Sequence, residues 1–253
     1  MTEHQVLGKV TRRKDGIARV TGQEQFSSDI YLPRMLHGRI VGSPHAHARI
    51  VSVDASAAEA LGAVVVTWDD IPHTCYNERI VTIPSALHRD HYVLADKARR
   101  MGEPVAAVAA ETEELAERAA RLVKVEYEPL PVLTDPVEAM QSGAAAIYET
   151  IWHGDKQIPV VNNIACERLI TEGDAAKAFA EADIVVEGRF KTPKIYHAQL
   201  EPKTAVCQPE PDGGLTVWCA TQSIHNVRIL LGQIYNIPLS KIDVRRIAVG
   251  GTF

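Results

Sequence analysis

The feature that most constrains the fold lies between Leu215 and Val249, where strand, helix and strand signals follow one another without a break. Leu215-Thr216-Val217-Trp218-Cys219-Ala220 is rich in β-branched and aromatic residues and reads as a strand. Ile224, Val227, Leu230, Leu231 and Ile234 then repeat at helical spacing, and that helix has to end before Pro238. Ile242 to Val249 is a second strand, running straight into Gly250-Gly251-Thr252-Phe253. A strand that leads into paired glycines makes a tight turn with bare N–H groups facing outward, open to an anionic or oxo-bearing ligand. The other strand end carries Thr221-Gln222 at the start of the helix. Two strand ends are therefore expected to line one site, one carrying Gln222 and the other the glycine turn at Gly250 and Gly251.

The surrounding signals are of the same mixed kind. Pro211-Asp212-Gly213-Gly214 predicts a hairpin turn between Thr204–Pro209 and Leu215–Ala220, and Ile184–Lys191 is a further strand candidate. Asp174 is placed to cap a short helix reaching Ala182. In the first half, a small apolar strand from Val105 to Ala110 precedes a helix from Thr112 to Val123. Thr112 suits the N-cap, Glu113 and Glu114 suit the positive helix end, and Leu115, Ala119 and Leu122 share one face. Val123–Tyr127 follows as a strand. Phe26–Leu32 and Leu36–Ser43 read as extended segments split by Pro33, forming a hairpin or meander. Asp54 caps a helix from Ala55 to Leu61 that Gly62 ends, and Ala63–Trp68 is a β-branched run. Strands and helices interleaved in this way indicate an α+β fold. The expected divisions are an N-terminal arm over residues 1–20, a first domain over 21–140, a linker without clear period over 141–173, and a second domain over 174–253.

Composition narrows the function classes. With 253 residues, 46% hydrophobic and 23% charged, the chain is long enough for one large or two ordinary domains and is not biased toward disorder. The formal net charge of −5, with Arg12-Arg13-Lys14 as the one short basic run, argues against nucleic-acid or membrane-surface partners. No apolar run approaches the roughly 18 residues a membrane span needs. Met1-Thr2-Glu3-His4 lacks the basic-then-apolar pattern of a signal peptide, so a cytoplasmic chain is expected. Cys75, Cys166, Cys207 and Cys219 are scattered with no CxxC pair, which predicts reduced thiols and no iron–sulfur cluster in this chain.

These pieces together resemble the molybdenum hydroxylases, the xanthine dehydrogenase and aldehyde oxidase family. Thr21-Gly22, Ser43-Pro44 with His47-Ala48-Arg49-Ile50, Gly102 with Pro104-Val105-Ala106, and Val125-Glu126-Tyr127-Glu128 with Leu130-Pro131 resemble the α/β hammerhead domain that opens the family's large subunit. Gly173-Asp174, Ala182-Asp183-Ile184-Val185-Val186-Glu187, His197 with Glu201-Pro202, Thr221-Gln222 and Gly250-Gly251-Thr252-Phe253 resemble the start of its molybdopterin-binding region. Residues 174–253 would then be the first, incomplete part of that domain.

The resemblance implies hydroxylation of a heterocycle or aldehyde carbon with water as the oxygen source, purines being one substrate class. It implies a molybdenum–molybdopterin cofactor here, and 2Fe–2S clusters and FAD on partner chains. In the family the amide matching Gln222 approaches an oxo ligand of molybdenum, and the turn around Phe253 wraps the cofactor. The glutamate base and most pterin-binding residues lie beyond that turn, so the resemblance implies no catalytic residue in this chain. A complementary C-terminal chain or segment, an Fe–S subunit and an FAD subunit are the implied partners. An alternative is a non-catalytic scaffold that keeps the hammerhead fold for subunit contacts.

Other polar groups have plainer readings. His45 and His47, two apart, suggest a partial metal site on one side of a strand, with no third ligand indicated. His197 and Glu201 read more readily as a hydrogen-bonded brace between domains than as an acid–base pair.

Overall fold

Strand pairing, more than order along the chain, decides how the protein divides. The computed structural model describes residues 7–77 and 88–252. One unit takes the N-terminal segment up to Pro33 together with the segment from His197 onward; the other spans Arg34–Tyr196. Motifs had placed the expected divisions at residues 20, 140 and 173, whereas contacts set the arm with the last segment. Among the described residues no helix is long and apolar enough to cross a membrane.

The first unit opens with a short helix, α1 (Gly16–Thr21), closed by Gly22 at φ +73. That left-handed conformation lets the Gln23 N–H reach the Ala18 carbonyl at 3.0 Å. Phe26–Leu32 is not the extended segment expected. It contains a 3-10 turn at Ser27–Asp29, because the Asp29 carboxylate accepts the Phe26 N–H at 2.9 Å and folds the chain back locally.

The second unit contains β1 (His37–Gly42), β2 (Ala48–Asp54), α2 (Ser56–Glu59), β3 (Val64–Val66), β4 (His88–Arg89), β5 (Lys97–Ala98) and β6 (Pro104–Ala110). It continues with α3 (Glu113–Leu122), β7 (Lys124–Pro129), α4 (Pro136–Ala139), β8 (Thr150–His153), β9 (Lys156–Pro159) and α5 (Ala175–Glu181). β1 joins no local hairpin or meander. It pairs antiparallel with β6, which pairs antiparallel with β3 on its other side. The central position of β6 explains its unbroken run of small apolar residues. α3 covers this sheet, with Ala116 and Ala119 fully buried beside Ala106 and Val108, and their small side chains let helix and sheet approach closely. The Thr112 hydroxyl accepts the Leu115 N–H at 3.1 Å, the N-cap expected from sequence. A second sheet has the order β5-β2-β7.

Three further expectations in this unit are corrected. Residues 141–173 are not a bare linker, since β8 and β9 form a hairpin around Gly154 and β4 adds a third strand. The side-chain amide of Asn163 fastens the stretch, donating to the carbonyls of Ala139 (2.9 Å) and Ala145 (3.1 Å) and accepting from Ile147 N–H (2.9 Å). Ile184–Lys191, in contrast, forms no strand. Its alternating pattern is present, but a strand exists only through a ladder and no described residue supplies one. His45 and His47 also fail to share a strand face, because β2 begins after them, at Ala48. His47 is buried with Nδ1 2.7 Å from the Pro131 carbonyl, and His45 tilts against Tyr127.

The first unit is completed by β10 (Ala205–Pro209), β11 (Leu215–Cys219), α6 (Ile224–Tyr235) and β12 (Ile242–Arg246). β10 and β11 are the expected hairpin, while β11 and β12 lie parallel with α6 as the crossover. Ile234 of α6 is buried with Val217, Ile242 and Val244 of the sheet. The helix stops at Asn236, which is left-handed at φ +53, just ahead of Pro238.

Candidate functional site at the ends of two parallel strands

The parallel register sets Cys219 opposite Arg246, so the two strands finish side by side. Gln222 comes three residues after the end of β11 and Val249 three after the end of β12. Ligand sites in α/β units gather at this carboxyl edge of adjacent parallel strands, where loops and a helix N-terminus converge. Ser223 begins α6 with its N–H bonded at 3.1 Å to the Thr221 hydroxyl. That turn holds Gln222 just outside the helix, and its exposed amide has no hydrogen-bond partner among the described residues.

A cavity of about 990 Å³ opens here. Thr221 and Gln222 line it from one strand end, Arg246–Val249 and Thr252 from the other, and Arg13, Asp15, Arg19 and Gln23–Gln25 from the arm. The arm is fixed by the Ala248 N–H donating to the Gln25 carbonyl at 3.1 Å and by Ser27 Oγ lying 2.5 Å from Thr204 Oγ1. The arm thus builds a wall of the cavity.

The charges on the lining are arranged unevenly. Asp15 accepts from Arg13 at 3.0 and 2.8 Å and from Arg19 at 2.7 Å, and those bonds hold its carboxyl well below the usual carboxylate range. Arg19 also lies 4.0 Å from Glu24. Arg246 has no carboxylate partner among the described residues and remains an uncommitted cation at the rim. An amide donor, hydroxyls, main-chain groups and a free guanidinium suit a ligand rich in oxo or phosphate oxygens. The donor set thus fits a molybdenum–molybdopterin group, with Gln222 and the main chain around Val249 and Thr252 as the residues able to hold it.

The glycines act differently from the expectation. Gly250 and Gly251 do not line the cavity, although Val249 and Thr252 on either side do. The Gly250 N–H is not bare: it donates to Glu201 Oε2. A Cβ at position 250 would come within 2.6 Å of Glu201 Cβ, so glycine is required there by contact. Glu201 is therefore a brace, and it supports the turn rather than serving in an acid–base pair. Its second oxygen, Oε1, is buried without a partner among the described residues. Phe253 lies outside the described residues.

Sequence reading missed Arg13, Asp15, Arg19 and Arg246. The parallel strand order, the Ala248–Gln25 bond and the Ser27–Thr204 contact bring them to Gln222, and none of these is written in local periodicity.

Residues 21–131 match the family model for the aldehyde oxidase and xanthine dehydrogenase a/b hammerhead domain, and residues 159–253 match that for the molybdopterin cofactor-binding domain. The chain belongs to the aldehyde oxidase and xanthine dehydrogenase family. It is 35% identical over 252 residues to a probable xanthine dehydrogenase subunit of Bacillus subtilis, covering 98% of this chain and 31% of that relative. It is 34% identical over 259 residues to the 6-hydroxypseudooxynicotine dehydrogenase complex subunit gamma of Paenarthrobacter nicotinovorans, again covering 98% and 31%. Among solved structures, the aldehyde oxidoreductase of Desulfovibrio gigas superposes with a TM-score of 0.82 at 26% identity, over 95% of this chain and 26% of that one. The chain thus spans about a third or less of the length of these relatives, and corresponds to the N-terminal portion of the family's molybdenum-binding subunits. The cofactor-binding match takes in Thr221, Gln222, Arg246 and Thr252, whereas Arg13, Asp15 and Arg19 fall outside both matched ranges.

Proposed function

We propose that this chain forms the N-terminal part of the molybdenum-binding subunit of a xanthine dehydrogenase-like hydroxylase. The observation that carries the reading is the shared cavity: a free amide, Gln222, and the main chain around Val249 and Thr252 meet on one opening although 27 to 30 residues separate them in sequence. When bound, the molybdenum–pterin group supplies oxygen transfer and takes up two electrons. The protein's part is positioning. Gln222 donates an amide N–H toward an oxo-type acceptor, a bond that a carboxylate does not offer at neutral pH. Arg246 balances negative charge at the rim, and the Glu201–Gly250 bond keeps the second strand end in place. The arm, with Ala18 and Arg19 of α1, walls the cavity on one side.

The chain acts with a complementary C-terminal segment that brings the base and the substrate pocket, and alone it is inactive. Gly250, Gly251 and Phe253 shape the turn that completes the cofactor's enclosure. Electrons leave through 2Fe–2S and FAD partner chains, and the assembly works in the cytoplasm. The substrate is a heterocycle or aldehyde carbon. Relatives named for xanthine and for 6-hydroxypseudooxynicotine support that breadth, with purines as one member of it.

Co-expression with the portion of the Bacillus subtilis relative beyond the matched stretch, followed by metal analysis, tests the reading. Stoichiometric molybdenum in the purified complex is expected. The variant Gln222→Glu is expected to keep that metal while losing about a hundredfold in kcat. A metal-free complex, or a chain that remains a metal-free monomer, would instead favour a non-catalytic scaffold.

A further inference from the structure

β4 is only two residues long, yet it joins a strand 65 positions further along the chain. The register sets His88 opposite His153 and Arg89 opposite Trp152. Side chains alternate across a sheet, so the two imidazoles share one face and the Arg89–Trp152 pair occupies the other. That second face is firmly tied: the Arg89 guanidinium donates to the Gly154 carbonyl and lies 5.7 Å from the centre of the Trp152 ring. The Asn77 side-chain amide donates to the His88 carbonyl and holds the backbone of β4. The strands beneath the two imidazoles are therefore set by other groups.

The histidine face is less fully used. The ring centres stand 4.8 Å apart with a tilt of 55°, and Nδ1 of His153 is buried with no hydrogen-bond partner among the described residues. A buried ring nitrogen left alone is costly, and a ligand that engages this imidazole removes the cost. Neither histidine lines the cavity at the strand ends, and position 153 falls between the two ranges that match family models.

We propose that His88 and His153 together bind one divalent transition-metal ion, of the zinc or copper class, which clips β4 to β8. Neutral imidazole is a favoured ligand of such ions. Metal–nitrogen bonds of roughly 2.0–2.1 Å put each ring centre about 3.2 Å from the metal, so centres 4.8 Å apart subtend about 97° there, between the square-planar and tetrahedral angles. The broad χ2 wells of histidine let both rings turn toward one point while the strands stay in place. Among the described residues no third His, Cys, Asp or Glu completes a cluster, so water fills the remaining positions and the site is an open one. Lys156 stands across from His153 on β9 and is exposed, so water screens its charge from the ion.

Zinc titration of the full chain, purified without a polyhistidine tag and stripped of metal by a chelator, tests the inference. Zinc that binds only the folded state is expected to raise the Tm by about 3 °C or more at ten times its dissociation constant. His88→Gln and His153→Gln are each expected to weaken zinc at least about tenfold. His73→Gln, at an exposed ring stacked on Trp68 outside this sheet, is expected to keep the full Tm shift. X-ray absorption at the zinc edge, which needs no variant, should count two imidazoles in the unaltered chain. Absence of zinc binding, zinc held equally well by either glutamine variant, or a spectrum with fewer than two imidazoles, as adventitious zinc would give, would overturn the inference.

Discussion

β6 and the stretch Ile184–Lys191 look alike as sequences and differ completely as structure. Both read as strands, and β6 is the weaker candidate by propensity because four of its seven residues are alanine. Yet β6 lies between β1 and β3 under α3, with Val108 1% exposed, while Val186 is 88% exposed and pairs with nothing described. The contrast shows that a strand is a property of its neighbours. Side-chain pattern says which face will be buried, and only a ladder on either edge decides whether burial occurs.

The same substitution placed in both stretches would break the comparison if it failed. Val108→Asp puts an unpaired carboxylate under α3 and should remove about 4 kcal/mol or more of stability, read from urea unfolding of the chain. A smaller effect concerns Tyr148, in the stretch that sequence reading left as linker. Burial pushes its hydroxyl from the ordinary value of 10.0 up to about 12, beneath the Arg99 guanidinium 4.6 Å from the ring. Above pH 10 the unfolded chain releases this proton while the folded chain keeps it, so stability should decline as pH rises from about 10 to about 12. Tyr148→Phe should flatten part of that decline. Tyr92, Tyr127 and Tyr235 and the thiols of Cys75, Cys207 and Cys219, all raised by burial, act in the same direction. Thr112→Ala removes the cap of α3 and should cost about 1 kcal/mol, measured by the same unfolding curve. Val186→Asp should change the stability of the chain alone by no more than about 0.5 kcal/mol. A large loss there would mean that the exposed stripe already has a partner.

What could be read from the sequence was mostly what is decided within a few residues. The α3 helix, with Thr112 as cap and Ala119 inward, follows from local pattern, as do the turn at Gly213 and the end of α6 before Pro238. The β8–β9 hairpin carried a usable signal that was passed over: Gly154-Asp155 between Ile151-Trp152 and Gln157-Ile158. Part of the candidate site was legible in the same way, since Gln222 sits at a strand end; Gly250 and Gly251 follow the other strand end but do not line the cavity. The rest was not legible. Arg13, Asp15 and Arg19 reach the cavity through contacts more than two hundred residues apart in sequence, and no period encodes such a distance. Ile184–Lys191 failed for the opposite reason, since its pattern was correct and its partner was missing.

The Glu201–Gly250 contact ties two positions that selection cannot treat separately. A methyl group at 250 has nowhere to go while a glutamate stem stands 2.6 Å away, and shortening that stem would release the turn it restrains. Substitutions at either site should therefore be tolerated mainly in pairs, a bulkier residue at one arriving with a trimmed one at the other. Descent with change would leave that trace as covariation between an acidic residue and a glycine 49 positions apart.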